Sequence, residues 1–222
     1  MLHSAEARWF IAKVLPDGVL SWFRAGQALE SEGVQVHEYL LFPDCVTVGV
    51  KVREGKLEIK AMASAPRPLS RDLGVSGRTD QWVKWSFASE GLKTLDPALH
   101  RSGRWLKVRK DRFLRKFSAD MGGLVEVTAK QRPLPANGCN VELTRITVEA
   151  NPRFWFSLAF EAFGPPEGTV KILETAIHSF FQEHDRAPGI RLSQRNSLGY
   201  PAWLVKLTKK PENANEIPPG RP

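Results

Sequence analysis

The strongest constraint on the fold of this 222-residue chain is a strict two-residue alternation within closely spaced segments. In the stretch GVKVREGKLEIK, residues 49–60, apolar side chains alternate with basic or acidic ones on both sides of Glu54–Gly55. This pairing of two short alternating runs around a glycine-containing turn is typical of an antiparallel hairpin. One face of the predicted hairpin is therefore apolar and the other charged. The apolar face holds Val50, Val52, Leu57 and Ile59.

Similar runs recur along the chain and predict a protein dominated by strands. They lie close together, without the regular strand–helix alternation that is typical of a parallel sheet. Helices are predicted at 19–32 and, from the spacing of Val170, Leu173 and Ile177, at 169–184. Residues 64–80 are predicted to form a loop, and residues 88–103 to be irregular or briefly helical. The predicted strands are 6–14, 37–42, 45–53, 56–63, 81–87, 104–118, 122–130, 139–149 and 153–164.

These elements predict an α+β protein, mainly antiparallel β. We expect about eight strands to curl into a tunnel-like barrel with a polar lumen and with outer helices such as 169–184. The barrel is expected to occupy 1–205 as a single domain. The last stretch lacks apolar periodicity, so residues 206–222 are predicted to be a disordered C-terminal tail.

The charge of the chain narrows the class of partner. The formal net charge is +8 and the pI about 9.7, which favours an anionic partner such as nucleic acid, polyphosphate, a nucleotide or a membrane surface. The two cysteines form no CxxC motif, which argues against a disulfide scaffold and a cysteine-type zinc site. No apolar run approaches the roughly 20 residues that span a bilayer, and no secretory signal is visible. We therefore expect a cytoplasmic protein that does not enter the membrane, with its oligomeric state left open.

The charged strand faces have two possible interpretations. For any one strand, the default is a half-buried sheet whose charges meet water. Across the set, however, both signs of charge occur on neighbouring strands, beside small residues such as Gly49, Ser157 and Ala159. Small residues leave room for a ligand inside a barrel of about eight strands. The alternative is therefore a polar lumen with the apolar strand faces covered from outside.

A basic cluster at 101–116 carries eight Lys or Arg and one acid, which leaves two functions open. Inside a lumen, its arginine forks and lysine charges would clamp phosphate groups. On an outer surface, the same residues would neutralise the phosphates of nucleic acid. Trp105 and Phe113 within the cluster could then stack on bases.

Three motifs together resemble the CYTH, or triphosphate tunnel, superfamily: GVKVREGKLEIK, VRKDR at 108–112 and VELTR at 141–145. The resemblance spans roughly residues 5–185, and helix 169–184 fits one of the family's outer helices. It implies an eight-stranded antiparallel tunnel that binds triphosphate-bearing or polyphosphate ligands, usually with Mg²⁺ or Mn²⁺. Activities in the superfamily include inorganic triphosphatase, thiamine triphosphatase, RNA 5′-triphosphatase and adenylate cyclase.

The resemblance also implies roles for ten residues. Basic side chains would bind phosphate oxygens, carboxylates would hold a divalent metal, and two of the carboxylates would act in catalysis. The implied phosphate-binding residues are Arg8, Lys51, Arg53, Lys60, Lys110 and Arg112. The implied metal ligands are Glu6, Glu58, Glu142 and Glu161, of which Glu142 and Glu161 are the implied catalytic residues.

The chain departs from the family pattern at its acids. The opening acid-x-acid-x-Lys motif retains one acid, Glu6, and the late acid-x-acid motif reads Glu142-Leu143-Thr144. The phosphate-binding half is therefore better kept than the metal-binding half. Three functions follow in order of preference: metal-dependent hydrolysis of a triphosphate, polyphosphate or nucleotide; binding of such an anion without catalysis; and binding of RNA or DNA.

Overall fold

In the computed structural model, the described residues are 1–25, 29, 31–70, 73–88, 104–120, 122–128, 133–149, 151–183 and 188–209. Ten strands and three α-helices lie within these ranges. The strands are β1 (Leu2–Ile11), β2 (Val34–Leu40), β3 (Val48–Arg53), β4 (Lys56–Met62), β5 (Arg67–Pro68), β6 (Arg78–Ala88), β7 (Trp105–Ser118), β8 (Val125–Val127), β9 (Gly138–Val148) and β10 (Asn151–Phe163). The helices are α1 (Asp17–Arg24), α2 (Pro166–Glu183) and α3 (Tyr200–Thr208).

Eight of the strands close into an antiparallel barrel. Their order is β1-β10-β9-β7-β2-β3-β4-β6, and β6 pairs back with β1 to complete the ring. The short strands β5 and β8 lie off this ring, paired with β6 and β7. The predicted eight-stranded barrel with outer helices is thereby confirmed.

The strand register places the charged faces inside the barrel. Lys51 of β3 lies opposite Glu58 of β4, and Gly49 lies opposite Lys60. Because successive side chains of a strand point to opposite sides, all of these residues share one side of the sheet. That side encloses the cavity described below, so the polar-lumen interpretation of the strand faces is confirmed.

The main hydrophobic core lies outside the barrel, between its wall and the helices. Helix α2 packs on β1, β9 and β10. The apolar outer faces of β1 and β10 meet the apolar stripe of α2, and Phe23 of α1 joins the same cluster. The outward strand residues are Trp9, Phe156, Leu158 and Phe160, and the helix residues are Leu173, Ile177 and Phe180. Because the main core lies outside the barrel, part of the interior can be lined by polar and charged side chains.

A second apolar cluster fills one end of the barrel from within. Helix α3 enters this end, where the ring of Trp203 stacks on that of Phe10 with centroids 4.3 Å apart. The neighbouring wall positions are apolar: Leu106, Val108, Ile146 and Val148. At Gly49, an added Cβ would lie 3.2 Å from Cγ of Pro201, so the absence of a side chain lets α3 approach the wall closely.

Several predicted boundaries are wrong. The helix predicted at 19–32 ends at Arg24, because Ala25 adopts a left-handed conformation with φ of 48°. The next strand consequently begins at Val34 instead of 37. The predicted loop 64–80 contains β5 and the first residues of β6, and the helix predicted to begin at 169 starts at Pro166.

The C-terminal region differs most from expectation, since α3 was not predicted at all. It runs to Thr208, past the predicted domain boundary at 205, while 210–222 of the predicted tail lie outside the described residues. The prediction for 88–103 also lies outside them, apart from Ala88 at the end of β6. Among the helices described, none combines the length and apolar character needed to cross a membrane.

Candidate functional site in the barrel lumen

The open part of the barrel interior is a charged cavity of about 960 Å³, counted out to solvent at its mouth. The cavity wall contains every site residue that the sequence predicted: Glu6, Arg8, Lys51, Arg53, Glu58, Lys60, Lys110, Arg112, Glu142 and Glu161. The structure thus brings all ten together, while the roles assigned to them remain predictions.

Positive charge exceeds negative charge in the cavity. Among the described residues that line it, seven are Lys or Arg and four are Glu. The seventh cation is Lys84 of β6, which the sequence did not single out. The wall also carries polar and aromatic side chains, from Gln35, His37, Tyr39, Trp82, Thr144 and Tyr200.

Glu58 is the centre of one ionic cluster. Its carboxylate lies 2.7 Å from Nζ of Lys51, 3.1 Å from Nη2 of Arg53 and 3.4 Å from Nζ of Lys84. Only 4% of Glu58 is exposed. Burial favours the neutral acid, but the three cations, with Lys51 foremost, outweigh it and lower the pKa of Glu58 to about 2. Glu58 is therefore ionised at neutral pH and holds three strands together.

Glu142 is the centre of a second cluster, on the opposite wall. Nη2 of Arg8 lies 3.2 Å from one carboxylate oxygen, and Nη1 of Arg112 lies 2.8 Å from the other. Burial opposes ionisation of Glu142, yet Arg112 and Arg8 together keep its pKa below the usual range. Arg8 also donates a hydrogen bond to Ser157. These contacts connect β1, β7, β9 and β10 across the lumen.

Glu6 and Glu161 face each other on neighbouring strands and share one cation. They are register partners between β1 and β10. Nζ of Lys60 contacts Glu6 closely and lies 3.4 Å from Glu161. Lys60 is the main reason that the pKa of Glu161 falls to about 2. Two carboxylates therefore converge at one point of the wall.

Lys110 differs from the other cations in its surroundings. Its Nζ donates a hydrogen bond of 2.6 Å to the hydroxyl of Tyr39 and lies 3.6 Å from the centre of the Tyr200 ring. Within the described part of the chain, no carboxylate pairs with it. Burial first, and then the charges of Lys51 and Arg8, lower the pKa of Lys110 well below its ordinary value.

His37 also lines the lumen, but its environment keeps it neutral. Its Nε2 lies 3.2 Å from Oε1 of Gln35. Burial, followed by the nearby charges of Lys110 and Lys51, lowers the pKa of His37 far below its usual value. The imidazole thus adds no positive charge to the cavity at neutral pH and offers a neutral hydrogen-bonding group to a ligand.

The described carboxylates do not form a ready-made metal site. Each lumen glutamate is ion-paired to Lys or Arg, and nowhere in the described ranges do three or more His, Cys, Asp or Glu side chains lie together as a metal would require. The donor set best suited to a divalent cation is the facing pair Glu6 and Glu161. Mg²⁺ is often held by one or two carboxylates plus phosphate oxygens of the ligand. Binding of Mg²⁺ or Mn²⁺ by Glu6 and Glu161 together with phosphate oxygens of a ligand remains a prediction.

Four cavity residues, Lys84, Trp82, Tyr39 and Tyr200, were not predicted from the sequence, and the reason can be given for each. Lys84 and Trp82 share a face of β6, but aromatic residues occur on both faces of QWVKWSF, so no face stood out as charged. Tyr39 lies in the predicted strand 37–42, in which four of the six residues are apolar or aromatic and no charged face is evident. Tyr200 lies in residues 196–201, whose Asn, Ser, Gly and Pro content is typical of a turn, although Pro201 one residue later is also a typical start signal for a helix.

Comparison with known proteins adds little to this geometry. The sequence matches no protein-family model and no curated protein. Among solved structures, the PH1012 protein from Pyrococcus horikoshii OT3 is 14% identical over 92% of this chain and 98% of its own, with a TM-score of 0.43. A conserved hypothetical protein from Pyrococcus furiosus is 11% identical over 92% of this chain and 99% of its own, with a TM-score of 0.46. Neither similarity carries an argument about function.

The Glu58 cluster predicts a large, pH-dependent effect of one substitution. We expect Glu58→Gln to lower the free energy of unfolding at neutral pH by about 3 kcal/mol, because three cations lose their buried partner. Since the pKa of Glu58 is lower in the folded protein than in the unfolded chain, this difference is present above about pH 4.5. It disappears as the pH falls toward the folded value of about 2.

Urea unfolding of both proteins between pH 2 and pH 7 measures this difference. Glu149→Gln is the matched control, since Glu149 is exposed and its replacement is expected to change stability by less than about 0.5 kcal/mol. Equal stability of Glu58→Gln and the unsubstituted protein at pH 7 would contradict the assigned role of Glu58.

Proposed function

We propose that the barrel lumen binds a small phosphate-rich anion of the triphosphate or polyphosphate class. The observation that carries this proposal is Lys110, a half-buried cation with no carboxylate partner among the described residues, in a cavity where cations outnumber carboxylates by three. A charge that is partly withdrawn from water and has no partner is costly. A bound anion would remove this cost, which gives the cavity its affinity for polyanions.

The cations are distributed so that a chain of phosphates could contact several of them. Gly49, at one end of β3, lies against α3, and Arg53, at the other end, precedes the turn at Glu54–Gly55. At about 3.3 Å per residue, these two wall positions are about 13 Å apart. Arginine forks bind phosphate oxygens in pairs, and lysines act as point charges. The closed barrel and the placement of the three motifs support assigning the chain to the CYTH superfamily as part of this proposal.

The nucleic-acid alternative receives less support from the same residues. The described part of the basic cluster is divided between three environments. Lys110 and Arg112 line the lumen, Arg115 is buried against Glu126, and Arg109 is exposed. Binding along a nucleic-acid backbone needs a continuous basic surface, and this stretch does not supply one.

Affinity for tripolyphosphate tests the proposed function. We expect calorimetric titration to show one site, and the melting temperature to rise with ligand concentration. Lys110→Ala is expected to weaken binding tenfold to a hundredfold, as expected for losing about 1.5–3 kcal/mol of charged hydrogen bonding.

The control for this titration is Lys171→Ala, since Lys171 is an exposed cation on α2. It should bind like the unsubstituted protein. If tripolyphosphate neither binds nor raises the melting temperature, or if both alanine variants weaken binding equally, the proposed site is wrong.

Lys110 also predicts how binding depends on pH. In the free lumen its pKa is lowered by burial and by neighbouring cations, and a bound anion would raise it. Binding therefore takes up a proton, and affinity should fall as the pH rises toward about 10.4, the ordinary value for lysine.

This pH dependence is best measured above the last ionisation of tripolyphosphate, where the ligand charge is constant. Titration in two buffers of different ionisation enthalpy reports the proton uptake directly. Lys110→Arg should bind without it, because an arginine stays protonated throughout. Identical proton uptake by Lys110→Arg and the unsubstituted protein would exclude Lys110 as the group that titrates.

A second candidate function, metal-dependent hydrolysis of the bound phosphoanhydride, is favoured by the convergence of Glu6 and Glu161. A divalent cation bound by these carboxylates and by the ligand would polarise the phosphoryl group. The carboxylates themselves would position the cation and the attacking water, with Glu142 fixing the arginines that contact the phosphates.

Phosphate release from tripolyphosphate or ATP with Mg²⁺ or Mn²⁺ tests this candidate. We expect Glu161→Gln to slow release by at least about a hundredfold, with tripolyphosphate binding retained, and Glu149→Gln to leave the rate unchanged. Binding without release under any of these metals would reject hydrolysis while leaving the binding proposal intact.

A further inference from the structure

We infer that the lumen is a blind pocket that recognises the free end of a phosphate chain, and that it excludes chains whose two ends are both esterified. This inference deepens the proposed function and rests on it. The positive charge of the cavity would attract any phosphate of a polyanion, terminal or internal, whereas the shape of the lumen determines which of them can enter.

One end of the barrel is closed. Helix α3 occupies this end and packs against wall residues from several strands. The filling is apolar and leaves almost no exposed surface: Phe10 is 3% exposed, Trp203 1%, Leu204 2%, Val108 0% and Ile146 1%. A phosphate chain is charged along its whole length, so it cannot pass through this apolar plug. An internal segment of a long chain could be bound only by threading through, which the plug prevents.

Tyr200 and Pro201, at the start of α3, line the cavity at its closed end and form its floor. Two cations lie over the ring of Tyr200, with Nζ of Lys110 3.6 Å and Cζ of Arg8 5.0 Å from its centre. Tyr39 stacks on the same ring, with centroids 5.3 Å apart and planes within 9°. The ring is thus engaged by Tyr39 and by cations, which leaves it unsuited to stack on a nucleobase or another aromatic group.

Terminal and internal phosphates differ in charge. A terminal phosphate has a second ionisation near pH 6 and therefore carries up to two negative charges at neutral pH. An internal phosphate of a linear chain has one ionisable oxygen and carries one negative charge. The floor offers Lys110, which lacks a carboxylate partner in the described chain, next to Arg8. The doubly charged end of a chain matches this floor better than any internal phosphate.

These features also orient the ligand. The terminal phosphate would contact Lys110 and Arg8 at the floor, and the next phosphates would extend toward Arg53 and Arg112. Any organic group would then remain at the mouth, where the side chains of these arginines are 23% and 30% exposed. Inorganic tripolyphosphate and a nucleoside triphosphate would both fit, because each has a free terminal phosphate.

The number of protein molecules bound per chain distinguishes this arrangement from side-on binding. Linear polyphosphates of several defined lengths are titrated with the unsubstituted protein, and the mass of each complex is measured by light scattering. A blind pocket predicts a limit of two proteins per chain at every length, one on each end. A number that grows with chain length would overturn the inference.

End-capped ligands give an independent measurement. Tetraphosphate with adenosine on both ends should bind at least tenfold more weakly than ATP or tripolyphosphate, although it carries one phosphate more. Lys110→Ala should reduce this ratio, and Lys171→Ala should preserve it. Equal affinity for capped and uncapped ligands would reject end recognition. If tripolyphosphate itself fails to bind, the proposed function fails, which is a separate result.

Discussion

The neutralisation of enclosed cations by largely buried glutamates is the interaction on which the rest of this structure depends. Seven Lys or Arg side chains among the described residues share one barrel interior. Without compensation, their mutual repulsion and loss of hydration would oppose folding. Glu58 binds three cations, Glu142 binds two, and Glu6 and Glu161 share one. Several of these pairs, such as Arg8 with Glu142 and Lys60 with Glu161, join strands that are distant in sequence. The same pairs leave an excess of positive charge, and that excess defines what the cavity can attract.

A barrel with charges inside needs its hydrophobic core elsewhere. Here the core is external, between α2 and the outward faces of β1, β9 and β10, with a second cluster at the end that α3 fills. Stability and ligand binding thus draw on different faces of the same strands. A substitution on one face of β10 can alter the cavity at Glu161 while its neighbours Phe160 and Ala162 remain packed in the core.

The two-residue alternation made the barrel and its polar lumen predictable from sequence, whereas the ten predicted site residues were implied by the resemblance of three motifs to the CYTH superfamily. Alternation assigns each side chain to a face, and the charges on one face of several strands were sufficient to identify the interior. Alternation was uninformative where a strand does not have one apolar and one polar face, or where the element is not a strand. In β6 both faces contain tryptophan, so Lys84 was not recognised. Helix α3 has only nine residues and fills the end of the barrel. Its apolar residues are therefore arranged to fit the shape of that end, and they do not show the helical spacing that would have predicted the helix. The early end of α1 rests on the left-handed backbone of a single residue, Ala25, which its sequence does not favour.

The close approach of Gly49 and Pro201 makes the depth of the lumen sensitive to one wall position. An added Cβ at residue 49 would lie 3.2 Å from Cγ of Pro201, tighter than ordinary packing. The wall strand belongs to a closed ring of hydrogen bonds, so α3 is the element with more freedom to move. Because Gly49 also lines the lumen, a side chain at this position would displace the floor and would itself occupy part of the cavity. In a barrel of this kind, the size of the ligand could therefore change through evolution by one wall substitution that leaves every charged group in place.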